Sequence, residues 1–581
     1  MTTKFASRRA VLQGVGVGAL GLAGAALLGC GGGSGTTPAP ASASPTGPTV
    51  ANIDLDEYGV PAQRNPKRGG ILRRLMSAQE DIWDPHLSLT QAGVRWEEIG
   101  NQAVHLVPDA SKLVPELVEK WETPGDGTQI IMHTRKDVNW HNRPPTNGRK
   151  FVADDLAFNI NRIAGLLNPG SELFQRRSSL PNLIRADAID DATVRVRLTE
   201  PSSGFMTGLA DYRNNIASRD FIEKSLADFR DITKLVGTGP WMYDSWDLKI
   251  GATLRPAPGN WQVGKPFLDG IKMIQYADRL AYQAAYAKGD LDMFELPSKV
   301  ERASLSKLTD NYREEKWDTG SWWHFRFNCA RPVFADPRVR RAIFLVIDYK
   351  TILDSINGPG YWQWTGPLGG FAESIPPAEV AKLPGYNPAT READRKTAVD
   401  LMTAAGFAKG NISFKILPSS NVSSSSPFEA MIRAIDDLKQ VWPAMTITSD
   451  PVPDNPAFTQ RQVISDFDMI SYSIGGYGDP VSEAEAHYSS TGSRNYGKYR
   501  NANVDAAIGK ASRELDRAKR KTILLDVQKT LLEEMPIIRY NSTVGVVWYG
   551  KQVKGAEKYG IATNSGGYDT SFNLKNVWFD K

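Results

Sequence analysis

The chain has 581 residues, with 69 Lys plus Arg against 65 Asp plus Glu, two Cys and 15 Trp. Its 41% hydrophobic and 23% charged residues are typical of a folded globular protein and exclude a collagen, a wholly disordered chain and a polytopic membrane protein. A net charge of +4 over this length does not favour nucleic-acid binding, and two cysteines exclude a disulfide scaffold or a four-thiolate zinc site. At about 150 residues per domain, the length predicts three or four domain-sized units.

Residues 1–29 resemble an export signal. They hold Lys4, Arg8 and Arg9 but no acid, and a Gly-diluted apolar run follows from Val11 to Leu28. Paired arginines before a mild apolar core resemble a twin-arginine signal; the alternative is a general secretory signal with a chance arginine pair. Removing these three bases leaves 66 against 65 acids, so the mature chain has a charge of +1.

The end of the apolar run, Leu27-Leu28-Gly29-Cys30, resembles a bacterial lipobox, although Leu28 is bulkier than the small residue usual there. The resemblance implies that Cys30 becomes the first mature residue and carries the acyl chains of a lipid anchor, of which two or more hold a protein stably on a membrane. The alternative is an uncleaved transmembrane anchor, for which the run is short. Cys329 is then expected to be a small core residue.

Residues 31–50 contain no charge and no large aromatic side chain. Such a segment buries too little apolar surface to offset its ordering entropy, so we expect residues 30–65 to be a lipidated cysteine and a flexible linker. A lipid, a tether and a large folded body together indicate a protein that works outside the membrane and close to it.

Motifs for catalysis and for cofactor binding are lacking. The GxGxxG match at residues 16–21 lies inside the export signal, and Gly259–Pro266 only approximates a P-loop because Pro266 stands where Ser or Thr must bind magnesium. The six His residues lack metal-ligand spacing. We therefore expect no catalytic residue, cofactor or metal, while an acid/base pair assembled from distant segments stays an open alternative.

Alternating helices and strands without a repeat predict an α/β protein. Thr193–Leu198 alternates apolar and charged residues, as a half-buried strand does. Asp336 and Pro337 open a helix as N-cap and first turn, and Asp516 opens another. In the first of these helices, the residues predicted to form a solvated face are Arg338, Arg340 and Arg341.

About eleven segments, in order from about Arg68 to about Gly555, are similar to a known family. They include a Trp-Asp-Pro-His turn, a Gly-Thr-Gly-Pro-Trp turn and the segment Gly259–Pro266, which only approximates a P-loop. The segments are Gly69–Leu72, Trp83–His86, Leu113–Glu122, Arg135–His141, Ala153–Phe158, Gly237–Trp241, Gly259–Pro266, Lys288–Asp292, Asp336–Asp348, Ala404–Phe407 and Tyr477–Pro480. The chain resembles family 5 of the bacterial extracellular solute-binding proteins, which serves ATP-driven (ABC) importers and includes oligopeptide-, dipeptide- and nickel-binding members.

The resemblance implies the large, class II form of the periplasmic-binding-protein fold, with two α/β lobes and an extra subdomain on lobe I. We expect lobe I at 66–106, 182–278 and 539–581, the subdomain at 107–181 and lobe II at 279–538. Hinge closure of the lobes would then trap the ligand.

One position that bears on the ligand departs from the family pattern. In peptide-binding relatives, an aspartate in a segment resembling Asp-Tyr-x-Asp-Pro fixes the free ammonium of the peptide. Here the segment reads Gly476-Tyr477-Gly478-Asp479-Pro480, so Gly476 stands at that position. The departure argues against binding of a free N-terminus; a shifted alignment, or substitution by Asp479, is the alternative.

Aromatic residues are abundant in segments that border the cleft by resemblance, and flat rings stack on sugars or cover peptide side chains. For each single Trp, core packing is the alternative, but the pair Trp362 and Trp364 lies among glycines and is predicted to face the cleft. The predicted ligand-binding residues are Asp479, Tyr477, Tyr472, Gly476, Trp362, Trp364, Trp322 and Trp323.

The sequence thus predicts a monomeric, lipid-anchored, extracytoplasmic binding protein that delivers a peptide or another organic solute to a membrane permease with cytoplasmic ATPase subunits. It predicts neither an enzyme nor a nucleic-acid partner. Two alternatives are a secreted, anchored carbohydrate-active enzyme, supported only by the Trp content, and a ligand sensor with the same fold.

Overall fold

The computed structural model describes residues 62–63, 65–76, 83–87, 96, 98–107, 112–168, 179–211, 213–224, 229–295, 299–304, 310–419, 426–476, 479–556 and 571–580. Arg8 and Arg9, the lipidation site Cys30 and the site residue Tyr477 lie outside these described residues. All elements below belong to one structural unit, residues 52–581.

One large sheet dominates the described part of the chain. Its eleven strands follow the order β15-β14-β16-β12-β17-β11-β1-β10-β9-β8, with β13 beside β17. A separate four-stranded sheet has the order β4-β5-β7-β6. The strands are β1 (Ile71–Leu75), β2 (Val104–Leu106), β3 (Leu113–Pro115), β4 (Val118–Glu122), β5 (Gln129–Thr134), β6 (Leu183–Asp190), β7 (Thr193–Leu198), β8 (Trp241–Asp247), β9 (Gly251–Pro256), β10 (Gly270–Ile274), β11 (Met293–Glu295), β12 (Tyr312–Phe327), β13 (Trp362–Gln363), β14 (Ser413–Pro418), β15 (Thr446–Ser449), β16 (Met469–Gly475), β17 (Ile537–Gly550), β18 (Val553–Lys554) and β19 (Trp578–Phe579).

Helices cover the sheets and connect their strands. They are α1 (Ala153–Ile163), α2 (Phe205–Leu209), α3 (Arg219–Lys224), α4 (Arg279–Lys288), α5 (Lys299–Ser304), α6 (Pro332–Ala335), α7 (Pro337–Val346), α8 (Tyr349–Ile356), α9 (Pro377–Val380), α10 (Arg391–Ala404), α11 (Ser426–Val441), α12 (Asn455–Val463), α13 (Pro480–Tyr488), α14 (Ala502–Arg513) and α15 (Arg517–Glu534). Parallel pairs, such as β1 with β10 and β14 with both β15 and β16, occur together with antiparallel pairs.

Separate hydrophobic cores divide the molecule into two lobes. The core of the first lobe is built mainly from residues 72–293 and 547–579. In the described part of the chain, the second lobe has two larger cores and one small core, all built from residues 322–540. This is the expected two-lobed α/β fold. Because each core packs against helices of its own lobe, each lobe can move as a rigid body.

The four-stranded sheet lies across one of the predicted domain boundaries. Its strands β4 and β5 come from the segment predicted to be the extra subdomain, whereas β6 and β7 come from residues 183–198, which were predicted to belong to lobe I. Helix α1 packs on this sheet, where the Asn161 side chain bonds the backbone of Ala186 in both directions at 2.8 and 2.9 Å.

Several local predictions are confirmed. Strand β7 spans Thr193–Leu198, as its alternation predicts. Asp336 caps α7 by accepting a hydrogen bond from the Arg338 N–H at 2.8 Å, and Asp516 caps α15 in the same way. Each cap satisfies N–H groups that have no partner within the helix.

The predicted solvated face of α7 holds only for Arg338. Arg341 is half-buried, and its Nη1 donates to the Leu532 carbonyl oxygen at 2.7 Å. Arg338 is exposed, but Arg340 is buried and donates to the carbonyl oxygens of Phe334 at 2.6 Å and Glu534 at 2.8 Å. Its guanidinium thus satisfies backbone carbonyls near the C-terminal ends of α6 and α15, a partnership between distant segments that a single helix pattern does not reveal. Cys329 is a half-buried free thiol packed against two cores of the second lobe.

Candidate ligand-binding cleft

Two long antiparallel strands, β12 and β17, join the lobes. Residues 312–318 of β12 pair with residues 544–550 of β17 beside the first lobe, and residues 322–326 pair with 537–542 in the second. The register shifts between Asp318 and Trp322, where the pairing is interrupted. Strand β13 joins β17 at the same place through Trp362 opposite Thr543. Irregular pairing between two separate cores marks this stretch as the natural hinge.

A buried carboxylate occupies the hinge. Asp318 accepts hydrogen bonds from the Gly320 N–H at 2.8 Å and from the side chains of Ser542 and Gln363. Burial raises the pKa of the Asp318 carboxyl. The hydrogen-bond donors and the nearby charge of Arg539 oppose this shift. Asp318 therefore ties β12, β13 and β17 together at the crossing point.

A cavity of about 310 Å³ lies between the lobes. Its apolar wall is formed by Leu106, Leu113, Ile130 and Met206 from the first lobe and by Phe371 and Leu515 from the second. Polar groups at the same cavity include Ser202, Lys112 and Asp479. A partly apolar cavity with a few polar groups, enclosed by two bodies joined at a hinge, is the usual form of a small-ligand site.

One wall of the cavity carries a fixed charge cluster. The buried carboxylate of Glu373 accepts hydrogen bonds from Nε of Arg517 at 2.7 Å and from Nε and Nη2 of Arg520 at 2.8 and 2.9 Å. Such charge-assisted pairs are short and directional, so they hold all three side chains in place. Glu373 is thus occupied by protein partners on this side of the cavity.

Asp479, a predicted ligand contact, is the N-cap of α13. It accepts hydrogen bonds from the N–H groups of Val481 at 3.0 Å and Ser482 at 2.9 Å, and from the Ser482 hydroxyl at 2.5 Å. Burial raises the pKa of the Asp479 carboxyl, and these bonds oppose that shift. Asp479 therefore combines a capping role with a place on the cavity wall.

Gly476 lies directly after β16, where its N–H donates to the Gly320 carbonyl at 3.0 Å. A Cβ at position 476 would stand 3.0 Å from that oxygen, 3.5 Å from Oε2 of Glu483 and 3.8 Å from Nε1 of Trp322. The Glu483 carboxylate in turn pairs with Nη1 of Arg539 at 2.7 Å, and both side chains are buried. A side chain at position 476 would therefore point towards an existing carboxylate.

Beneath this pair lies a buried polar layer that the sequence analysis did not identify. The Arg539 guanidinium lies 4.0 Å from the centre of the Trp322 ring, and the Trp322 ring packs at 4.5 Å on His324 and at 5.3 Å on His487. Burial lowers the pKa of both histidines well below the usual value, with nearby arginines acting in the same direction. Both rings are therefore neutral at pH 7.

Three of the predicted aromatic site residues lie in the packed interior. Trp322 is fully buried, Trp323 packs edge-on against Tyr540 at 6.5 Å, and Tyr472 packs edge-on against His324 at 4.2 Å. Each comes from β12 or β16, whose two faces are both covered in the second lobe. Their role in ligand binding stays a prediction.

The structure brings the other two tryptophans together. Trp362 and Trp364 are half-buried, and their rings meet edge to face at 4.7 Å. The indole N–H of Trp362 donates to the carboxylate of Asp354 at 2.8 Å, and Trp364 packs against Tyr386. They lie beside the hinge and pack against the core of the second lobe that contains Trp323.

The pairing of the charged groups at the cleft could not be predicted from local sequence patterns. Glu373 and its two arginines are separated by more than 140 residues, and Glu483 and Arg539 by 56. Each such pair requires two segments that only the fold brings together.

Within the described ranges there is no group of three His, Cys, Asp or Glu side chains placed to hold a metal ion. No described helix is both long and apolar enough for a membrane span.

Two lobes, two crossing strands and a cavity lined by both lobes define a hinged binding protein. Residues 112–495 match the family model for bacterial extracellular solute-binding proteins, family 5 (middle region). The chain therefore belongs to this family, whose members bind solutes outside the cytoplasm. It is a binding protein and not an enzyme, so the enzyme alternative is wrong.

Known proteins resemble most of the chain. Heme-binding protein A of Haemophilus influenzae is 23% identical over 481 residues, which cover 79% of this chain and 84% of that protein. The peptide transport periplasmic protein SapA of Salmonella typhimurium is 24% identical over 476 residues, covering 77% and 82%. The solved structure of the ABC transporter-associated periplasmic binding protein DppA from Helicobacter pylori, in complex with the peptide STSA, has a TM-score of 0.69 at 21% identity and covers 89% of this chain and 99% of its own.

Proposed function

We propose that this protein is the lipid-anchored substrate-binding component of an ABC importer, which closes on a peptide or another organic solute and delivers it to a membrane permease with cytoplasmic ATPase subunits. The observation that carries the proposal is the cavity between the lobes, to which both lobes contribute side chains. A ligand held by both lobes favours the closed arrangement through its differential affinity, and that arrangement is what a permease can distinguish.

Peptides are the first ligand class to test, because two of the relatives described above carry peptide transport or a bound peptide in their names. The heme-binding relative makes a large planar solute the second class. Proposed contacts are Asp479, on the cavity wall, and the loop that begins at Gly476.

The ligand class is tested with the purified chain. Native mass spectrometry identifies any solute that copurifies, and thermal unfolding is followed with pools of defined di-, tri- and tetrapeptides, oligosaccharides and hemin. A true ligand at about 100 times its Kd should stabilise the folded state by about 2.7 kcal/mol. Stabilisation by hemin or an oligosaccharide but by no peptide would overturn the peptide assignment.

The surroundings of Gly476 favour a ligand that is not held by its amino terminus. Position 476 supplies no carboxylate, and the neighbouring Glu483 is paired with Arg539. An ammonium fixed by a charge-assisted bond would lose more than about tenfold in affinity on acetylation. We therefore expect a bound peptide and its N-acetyl form to differ by less than about threefold, measured by isothermal titration.

Anchoring and export are tested on whole cells. Cys30→Ala should release the protein from the membrane fraction, because the acyl chains attach at this sulfur; unchanged membrane attachment would require another anchor. Replacing Arg8 and Arg9 by Lys should trap the precursor in the cytoplasm if export uses the twin-arginine route. Normal export of that variant would favour the general secretory route.

The domain boundaries proposed for the family fold need two adjustments to follow the packing. The subdomain is better ended after Leu198, because β6 and β7 share a sheet with β4 and β5. Residues 279–318 are better assigned to lobe I, because β11 pairs with β1 and because Tyr282 and Phe294 pack with Tyr312, Val546 and Trp548. Limited proteolysis should cut between these units before it cuts within them.

A further inference from the structure

Away from the hinge, a short loop of the first lobe donates hydrogen bonds to the second lobe. The backbone N–H of Ser203 donates to the Ser512 carbonyl at 2.9 Å, and its hydroxyl donates to the Ala511 carbonyl at 3.3 Å. Next to these bonds, Arg513 pairs with Glu200 at 3.2 Å. The loop belongs to the first lobe, because the residues that follow it in α2 pack in the first core, whereas α14 packs in a core of the second lobe.

The bonded carbonyls lie at the C-terminal end of α14. The last carbonyl oxygens of a helix have no regular N–H donor within that helix, so they accept hydrogen bonds from the following turn, from other segments or from water. Ser203 supplies two donors from the other lobe to Ala511 and Ser512. These two bonds can form only when the lobes are together. On separation of the lobes the Ser512 carbonyl would lose the Ser203 N–H, whereas the Ala511 carbonyl would keep the Glu514 N–H, which donates to it at 3.2 Å.

The next residue, Gly204, is buried against the second lobe. A Cβ at this position would lie 3.3 Å from Oγ of Ser482 and 3.4 Å from Oδ2 of Asp479. The backbone does not require glycine, since its φ of −91° suits any residue. Only the approach of α13 from the other lobe restricts the side chain at position 204.

We propose that Ser203 and Gly204 form a closure latch: Ser203 holds the lobes together by satisfying the end of α14, and Gly204 leaves the space that lets them meet. This inference rests on the proposed function, in which the lobes close on a ligand. The latch lies beside the cavity, whose walls include Ser203 and Asp479. When the lobes close around a ligand, the contacts of the closure latch therefore form at the same time.

A disulfide across the latch tests whether the lobes meet here in solution. In the variant Gly204→Cys with Ser482→Cys, the Cβ of residue 204 would lie about 3.3 Å from the sulfur of residue 482, close to the spacing of a disulfide. Mild oxidation should convert both new thiols to a disulfide, detected by mass spectrometry and by a mobility shift without reductant. Gly204→Cys alone is the control for pairing with Cys329. New thiols that stay free under oxidant would overturn the proposal.

Side-chain size at position 204 tests the effect on binding. Gly204→Val adds methyl groups beyond a Cβ that already lies at contact distance, so the lobes should stay apart, with a larger radius of gyration by small-angle scattering and at least about tenfold weaker binding of a peptide from the tri- and tetrapeptide pool. Ser203→Ala, which keeps the backbone bond, should weaken binding by up to about fivefold. The matched control Glu200→Gln removes only the exposed ion pair and should change affinity less than about twofold.

The outcomes separate the two proposals. If the wild-type chain binds no peptide but the disulfide forms, the peptide assignment fails and the latch stands. If Gly204→Val keeps wild-type compactness and wild-type affinity while remaining folded by circular dichroism, the latch is wrong and the binding function stands.

Discussion

Removal of the Glu483 carboxylate should strongly destabilise the second lobe. In Glu483→Ala, Arg539 loses the carboxylate oxygen that lies 2.7 Å from its Nη1. The pair is buried, with 0% of the Glu483 side chain and 4% of the Arg539 side chain exposed, so water cannot replace the lost partner. The remaining described acceptor of Arg539 is the Pro367 carbonyl at 3.2 Å.

The magnitude follows from the desolvated charge. Breaking a buried ion pair from one side leaves an uncompensated charge and reduces the free energy of unfolding by about 3–5 kcal/mol. An independent estimate for unit charges about 4 Å apart at an effective dielectric constant of about 20 gives about 4 kcal/mol. The two estimates agree, so we expect a loss of about 4 kcal/mol.

Urea unfolding measures this loss, followed by tryptophan fluorescence because Trp322 lies directly under Arg539. Glu379→Gln is a matched control: Glu379 pairs with Lys382 at the same 2.7 Å, but both side chains are more than half exposed, so the change should stay below about 0.5 kcal/mol. The double variant Glu483→Leu with Arg539→Met should recover most of the stability, because neither member of this ion pair is left buried without the other. A loss below about 1 kcal/mol in Glu483→Ala would refute the reasoning.

Two further predictions concern stability. Burial lowers the pKa of His141 to about 4, with its ring between the Gly237 N–H and the Gly239 carbonyl; its stabilising contribution is therefore complete above the ordinary pKa of 6.5 and is lost as the pH falls through 4. Between pH 7.5 and pH 5 the free energy of unfolding should fall by about 2 kcal/mol from this group, and His141→Gln should remove that part of the slope in urea titrations. Gly251→Ala should destabilise by more than about 2 kcal/mol, because φ is +117° and a Cβ would lie 2.0 Å from the Met273 carbonyl. Gly125→Ala, where φ is +65° and no atom lies within 4 Å, should cost only about 1 kcal/mol in the same thermal or urea assay, and equal losses would contradict the steric argument.

Local features of the fold were predictable because their causes lie within a few residues. Asp336 and Asp516 cap helices through N–H groups two and three residues away, and the alternation of Thr193–Leu198 needs only a sheet with one buried face. The two-lobed fold was predictable for another reason: many weak segments in one order resemble a family with that fold.

The surroundings of the aromatic residues depend on elements that are distant in the sequence. Trp322, Trp323 and Tyr472 were predicted as ligand contacts from the position of their segments; all three are buried in the second lobe, and their role in ligand binding stays a prediction. A strand presents alternate residues to its two faces, but the sequence does not say which elements cover each face. Arg340 is the same case on a helix, since its carbonyl partners belong to other helices.

By itself, the sequence determined the class of protein, the order of its family-like segments, its helix caps and the absence of a carboxylate at position 476. Only the tertiary structure decided that Glu483 pairs with Arg539 beside that position, that Arg517 and Arg520 hold Glu373, and that a loop of one lobe donates to a helix end of the other. The physical reason is one of distance: caps and strand patterns are interactions between sequence neighbours, whereas buried charges and lobe contacts join segments that lie from about 50 to more than 300 residues apart.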